Sequence, residues 1–324
     1  MNIEFLERLH SSKMPQYNNI QSTILTNDYG PIALPPFTFA FKTTACERHP
    51  TRNEDSILLE EETGLAAVFD GVGGSAAGEV ASQTAVQATR QEWKRIVRQF
   101  QQGRKKHTFL EYTERSNLPT LLERLILNAD EQVRTEGARR AGTDNLATTV
   151  ALAAICRIPG QRHYKLLFSH VGDSRIYLLR SDESLKRLTT DDGLLGKLVE
   201  NQLIDNEDAL HIDQACSTEQ LSDVEFSYFR LRGGITQALG GPIAPTVHLG
   251  ECTIYPGDRL LLCTDGIHDN LTDKEIEAVL RNSSRNAAAR ILVEQSIERS
   301  HEPRNMNIRA KPDDMSAIVI TCRF

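Results

Sequence analysis

The chain has no apolar run long enough to cross a bilayer. Its first ten residues, Met1 to His10, carry Glu4 and Glu7 and lack the hydrophobic core of a signal peptide. Concentrated positive charge is also missing. The formal net charge is −7, and the densest basic run, Arg104-Lys105-Lys106-His107, is short, polar and poor in aromatics. It reads as a solvated loop, not as a nucleic-acid surface. No CxxC pair occurs among Cys46, Cys156, Cys216, Cys252, Cys263 and Cys322. Cys156, Cys263 and Cys322 lie in or beside apolar runs, where a thiol behaves as a small core residue. The cysteines are expected to be reduced and structural, forming neither a zinc site nor a disulfide framework. No internal repeat and no Gly/Ser linker is visible. The expectation is a cytoplasmic protein with no membrane or nucleic-acid partner.

What is present is the balance of a globular protein: 324 residues, 40% hydrophobic and 25% charged. Residues 1–36 read as a peripheral arm that ends at Pro35-Pro36. Phe37 to Lys42 then alternates apolar with small or polar residues, the period of a strand with one buried face. Ser56–Leu59 is a short strand, and Leu65–Phe69 is a continuous apolar run, as expected of a strand buried on both faces. Helices are predicted over Glu79–Phe100 and Leu118–Val133. Strands are predicted over Ala147–Ile155, Tyr164–Val171 and Ile176–Leu179, then Arg259–Cys263. Helices at Thr272–Leu280, opened by a capping box, and Arg285–Arg299 precede a last strand, Ala317–Cys322. Strands and helices come in blocks rather than alternating as βαβα, which argues one α+β domain over residues 37–324.

The aspartates are the most informative feature. Asp70 follows Ala66-Ala67-Val68-Phe69, and Asp265 follows Leu260-Leu261-Leu262-Cys263-Thr264. Asp173 follows the run that ends at Val171-Gly172, and Asp313-Asp314 precede Ser316-Ala317-Ile318-Val319-Ile320. One Asp at a strand end is an ordinary turn residue. Four such positions suggest strand ends that bring carboxylates together, and these would repel unless cations lay between them. Hard oxygen ligands without thiolate or imidazole suit Mg²⁺ or Mn²⁺. Gly71 and Gly266 follow two of these acids and would allow a tight turn and a close backbone approach.

Arg52-Asn53-Glu54-Asp55-Ser56, Phe69-Asp70-Gly71-Val72-Gly73-Gly74, Gly172-Asp173-Ser174-Arg175, Thr264-Asp265-Gly266 and Asp313-Asp314-Met315-Ser316 occur in that order. Together they resemble the motifs of the metal-dependent PPM-type, phosphatase 2C-like, protein Ser/Thr phosphatases of bacteria. The resemblance implies a four-layer α-β-β-α sandwich of two antiparallel sheets flanked by helices. It implies an enzyme that hydrolyses phosphoserine and phosphothreonine in proteins with two Mn²⁺ or Mg²⁺ ions and a metal-activated water. Asp70, Gly71, Asp265, Asp313 and Glu54 would serve the metals, and Asp173 would help hold a third, weaker ion. Asp55 and Asp314 would act from a second layer, and Arg52 and Arg48 would bind substrate phosphate. A phosphorylated protein and a partner Ser/Thr kinase are the implied partners. The acidic segment from about Leu194 to Ser227 corresponds to a mobile flap beside the active site.

The chain departs from that pattern in four places. Pro50 stands where many relatives have a phosphate-binding Arg, and Val72 where some have a His proposed as general acid. Asp191-Asp192 replaces an Asp-His pair, and Asp313-Asp314 replaces an Asp-Asn pair. Three other readings stay open: an inactive binding protein with the same fold, a phosphatase of small phosphorylated metabolites, and a nucleotide-binding enzyme. The last has little to carry it, because Ala76 stands where a GxGxxG loop needs its third glycine. Asp173 also has an ordinary explanation, as a turn residue pairing with Arg175.

Overall fold

In the computed structural model, residues 36–72, 76–100, 109–113, 117–140 and 146–323 are described. All of them lie within one unit, Pro35–Phe324. The expected arm falls almost wholly outside the described residues.

Two five-stranded antiparallel sheets carry the fold. The first has the order β1 (Phe37–Thr44), β12 (Met315–Cys322), β11 (Arg259–Cys263), β8 (Arg175–Leu179), β9 (Lys186–Arg187). The second has the order β10 (His248–Ile254), β7 (Tyr164–Val171), β6 (Val150–Arg157), β3 (Leu65–Phe69), β2 (Ser56–Glu60). A small pair joins β4 (Gly71–Val72) to β5 (Ala147–Thr148).

The long apolar runs are explained by three stacked hydrophobic layers. Successive strand residues point to opposite faces, and both faces are covered. In β3, Ala66 and Val68 enter the layer between the sheets, while Leu65, Ala67 and Phe69 face α1 (Ala76–Phe100) and α2 (Leu118–Arg139). In β12, Ile318, Ile320 and Cys322 enter the middle layer, and Met315, Ala317 and Val319 face α7 (Asp273–Asn282) and α8 (Ala288–Ser300). β11 divides the same way, Leu260 and Leu262 against Leu261 and Cys263. Each fully buried Leu or Ile contributes about 1.5–3 kcal/mol relative to exposure. The expected four-layer sandwich is therefore the observed one. All six cysteines are free, and burial pushes the Cys156 thiol up to about 12, as befits a core residue.

The topology explains why the acids meet. β3 and β7 both run antiparallel to β6, so they point the same way, and their C-terminal ends open on one edge of the second sheet. In the first sheet β11 is antiparallel to β12, with Cys263 opposite Ala317. The exit of β11 thus lies beside the entry of β12. Asp70 and Asp173 come from the first edge, and Asp265, Asp313 and Asp314 from the second.

The polar segment from Leu194 to Ser227 is built of short helices with a core of their own. α3 (Leu194–Glu200), α4 (Asn206–Gln214) and α5 (Asp223–Leu231) enclose their own cluster of Ile212, Ala215 and Phe229, with Leu195, Ile204, Leu221, Phe226 and Ile308 against it. Its acidity has local causes. Asp205 caps α4 by accepting from the Glu207 and Asp208 amides, and Glu225 completes a capping box with Ser222 on α5. Asp213 is buried against Arg175.

Candidate metal centre

Asp70 leaves the end of β3 on a backbone held from two sides. Its carbonyl accepts from the Thr149 amide and the Thr148 hydroxyl, both at 2.8 Å. The next amide, of Gly71, donates to the Glu54 carbonyl at 3.1 Å. A Cβ on Gly71 would stand 2.3 Å from the Gly78 carbonyl oxygen and 2.6 Å from that of Glu54, so only glycine lets these three backbones touch. Gly266 has the same role beside Asp265, where a Cβ would lie 2.0 Å from the Asp314 carbonyl oxygen.

The acids do converge. Burial, then the neighbouring charges of Asp265, Asp55, Asp173 and Asp313, hold the Asp70 carboxyl well above its ordinary value. Burial, then Asp265, Asp191 and Asp269, do the same to Asp173, against the pull of Lys311. Asp265 is raised by burial and by Asp313 and Asp269, again against Lys311. Asp55 is also pushed well up by burial, although the Thr264 hydroxyl donates to it at 2.7 Å. Among the described residues, the carboxylates of Asp70 and Asp173 have no hydrogen-bond or ion-pair partner. Glu54 Oε1 is buried without a donor, 3.3 Å from Arg52 Nε in an arrangement that makes no hydrogen bond. Converging carboxylates, all hard oxygen donors, around a backbone that excludes side chains fit hard divalent cations.

Asp313 and Asp314 do different things. Asp314 accepts from the Cys46 and Glu54 amides with separate oxygens, both at 2.6 Å, so its carboxylate anchors the Glu54 loop. Asp313 faces the cluster, 3.1 Å from Lys311 Nζ. Arg52 lies beside Glu54. Arg48 is exposed, and its guanidinium makes no ion pair among the described residues. Arg175 does not pair with Asp173. It binds Asp191 at 2.5 Å and Asp213 at 2.9 Å, which leaves Asp173 to the cluster and removes the turn-pair explanation.

Three neighbours had no sequence signal. Lys311 Nζ reaches Asp265 at 2.5 Å, Asp269 at 2.8 Å and Asp313 at 3.1 Å. Burial opposes its charge, but those three acids outweigh burial and hold the ammonium well above its ordinary value. Asp269 is kept well below the usual carboxylate range, against burial, by Arg232 and Lys311. His268, in the short helix α6 (Asp265–His268), donates from Nε2 to the Asp173 carbonyl at 3.1 Å, and burial pushes its pKa down to about 4. Lys and His beside an acid motif look like any surface residue until tertiary packing brings them in.

The raised acids set a pH dependence with a definite sign. Groups whose folded pKa is raised stabilise the fold fully below their unfolded pKa, about 4. They lose that contribution as pH rises through the folded values. In chelator, thermal stability should therefore fall as pH is raised from the ordinary carboxylate range towards neutrality. Asp269 and Asp213, both held low, act oppositely and only on the acid side of that range. Adding Mn²⁺ should abolish the fall, because a cation takes over the neutralisation. Melting curves across pH with and without metal test this, and a chelated protein equally stable throughout would contradict it.

A protein-family model described as Protein phosphatase 2C matches residues 44–300. The serine/threonine protein phosphatase PstP of Mycobacterium tuberculosis is 29% identical over 264 residues, 79% of this chain and 41% of that protein. The chain thus spans well under half the length of that relative. The serine/threonine phosphatase stp of Listeria innocua is 25% identical over 236 residues, 72% of this chain and 79% of that one. The crystal structure of the M. tuberculosis phosphatase superposes with a TM-score of 0.65 at 24% identity, covering 89% of this chain and 99% of that chain. A structure of the PstP catalytic domain in complex with two manganese ions gives 0.61 at 24% identity, over 89% of this chain and 99% of that one. With its motifs in order, its acids gathered at one end of the sandwich and four-fifths of its length matched, the chain belongs to the protein phosphatase 2C family.

Proposed function

We propose that this chain is a metal-dependent protein phosphatase that hydrolyses phosphoserine and phosphothreonine. The observation that carries the reading is the meeting of Asp70, Asp173, Asp265 and Asp313 from four strand ends, two in each sheet, with too few protein cations to balance them. Asp70, Asp265, Asp313, Glu54 and the Gly71 carbonyl would hold two Mn²⁺ or Mg²⁺ ions, with Asp173 available to a third. When bound, such ions ionise an attacking water near neutral pH and neutralise the phosphoryl oxygens. Asp55 and Asp314 position the ligands, Asp55 through Thr264 and Asp314 through the Glu54 amide. Arg52 is the nearer of the two arginines to the acids and would orient substrate phosphate, with Arg48 at longer reach. The naming of the Mycobacterium and Listeria relatives supports a protein substrate, and a Ser/Thr kinase is the natural counterpart. Among the described residues no helix is long and apolar enough to cross a membrane, which agrees with action in the cytoplasm.

Hydrolysis of p-nitrophenyl phosphate and of a phosphothreonine peptide, with Mn²⁺, Mg²⁺ or chelator, tests the reading. Metal-dependent turnover supports it, and a folded protein inert with every metal sinks it. Turnover of the small ester without the peptide would move the substrate to metabolites.

One observation favours a second reading. The Lys311 ammonium already neutralises Asp265 and Asp313, as it would in a binding protein that needs no metal. The two readings part on Lys311→Ala. In a phosphatase, removing a competing cation should lower the half-saturating Mn²⁺ concentration roughly tenfold, equivalent to about 1.4 kcal/mol. In a metal-free binding protein the same change should destabilise the fold and confer no metal response.

A further inference from the structure

His170 and His248 face each other across two strands. They are directly opposed in the antiparallel pairing of β7 with β10, and their rings stack at 4.6 Å with an 18° interplanar angle. Asp192, in the segment between β9 and α3, joins them. One ligand atom from each of His170, Asp192 and His248 lies within 4.8 Å of the others. We propose that these three residues form a further metal site, apart from the carboxylate cluster, that takes a single zinc-class divalent cation.

The donor set points to that class of ion. Two imidazoles and one carboxylate suit Zn²⁺ and its first-row neighbours, whereas the oxygen-only cluster suits Mg²⁺ and Mn²⁺. A tautomer argument supports it independently. His170 Nε2 lies 2.8 Å from the Thr190 carbonyl oxygen, which can only accept, so the proton is on Nε2. Nδ1 then carries a bare lone pair, and it is buried without a partner in a residue only 4% exposed. An imidazole with one nitrogen donating to a carbonyl and the other bare is how metal-ligating histidines are prepared. Burial also keeps this ring neutral near neutral pH, as a ligand must be.

Asp192 is oriented as a ligand would be. One oxygen accepts from the Gly172 amide at 2.9 Å, and the other from Gln237 Nε2 at 2.9 Å and from His248 Nε2 at 2.8 Å. The Asp192–His248 bond by itself explains those two residues and leaves the bare nitrogen of His170 unexplained. A cation entering between them would replace that bond with two stronger ones. The His248 side chain is 40% exposed, which gives the ion a way in and leaves a further position for water. Because Asp192 also holds the Gly172 amide, occupancy would stiffen the turn that presents Asp173.

The test uses the full chain in excess Mg²⁺, which fills the oxygen cluster without competing for imidazole. Zn²⁺ is then titrated against a chromophoric chelator for the wild type, His248→Ala and His248→Gln. The expected result is one tightly held equivalent in the wild type, with affinity at least about 100-fold weaker in both variants. Co²⁺ should give the wild type a strong visible band, typical of low coordination, that both variants lack. His248 is partly exposed on an edge strand, and Gln at 248 keeps a donor for Asp192, so both variants should remain folded without zinc, which melting curves in chelator check. Absence of zinc uptake by the wild type, or equal uptake by all three proteins, would overturn the proposal.

Discussion

Asp70→Asn should lose metal-dependent phosphatase activity and at the same time make the chelated protein more stable. Electrostatic stabilisation by a bound cation is worth several kcal/mol in the transition state. At 1.36 kcal/mol per decade that is on the order of 10³-fold in turnover. The same carboxylate stands, in the metal-free fold, in the field of Asp265, Asp55, Asp173 and Asp313 without a counter-charge of its own. A neutral amide relieves that repulsion. Each kcal/mol relieved should raise the melting temperature by roughly 2–4 °C for a domain of this size. Opposite signs are the informative part, since a merely structural aspartate would lose stability on amidation and leave turnover in the folded fraction unchanged. Turnover rates in Mn²⁺ and melting curves in chelator check both halves.

Arg175→Met should be the more damaging change to the fold. The Arg175 guanidinium is almost wholly buried, and it binds Asp191, Asp213 and the Tyr177 hydroxyl. Against the cost of burial, Arg175 and then Arg187 hold the Asp191 and Asp213 carboxyls below their ordinary values. Methionine fills much of the volume but leaves the buried Asp213 carboxylate, and the partly exposed Asp191, short of their main partner; breaking a buried pair typically costs about 3–5 kcal/mol. Arg175→Lys should rescue little, because a single ammonium cannot bridge two carboxylates as the planar fork does. Since Asp213 belongs to α4, the α3–α5 segment should be the first to open. Limited proteolysis should cut there before the sheets unfold. A variant with wild-type stability would show that the pair is replaceable.

Much of this architecture was legible from sequence for one reason: a strand covered on both faces must be apolar throughout. Leu65–Phe69 and Arg259–Cys263 therefore appear at their observed limits. β10 was missed because it is an edge strand with a half-exposed pattern, His-Leu-Gly-Glu-Cys-Thr-Ile, and it carries no apolar run. The aspartates could be found because each terminates such a run. Lys311 and Asp269 could not, since their roles arise only where separate loops meet. Nor could the partner of Arg175, because Asp213 lies 38 positions away and its neighbours read as a solvated acidic stretch. What the polarity of residues 194–227 concealed was a set of helix caps around a small core of their own.

β1, the earliest described strand, pairs along its whole length with β12, the latest, and β12 in turn sits between β1 and β11. During synthesis, the first sheet therefore has a gap between β1 and β11 until residue 322 has left the ribosome. Asp313 arrives only just before that closure. Long-range pairing of this kind is slow and leaves strand edges exposed on a nascent chain. It also means that a polypeptide cut short before Asp313 lacks both an interior strand of the first sheet and one of the acids.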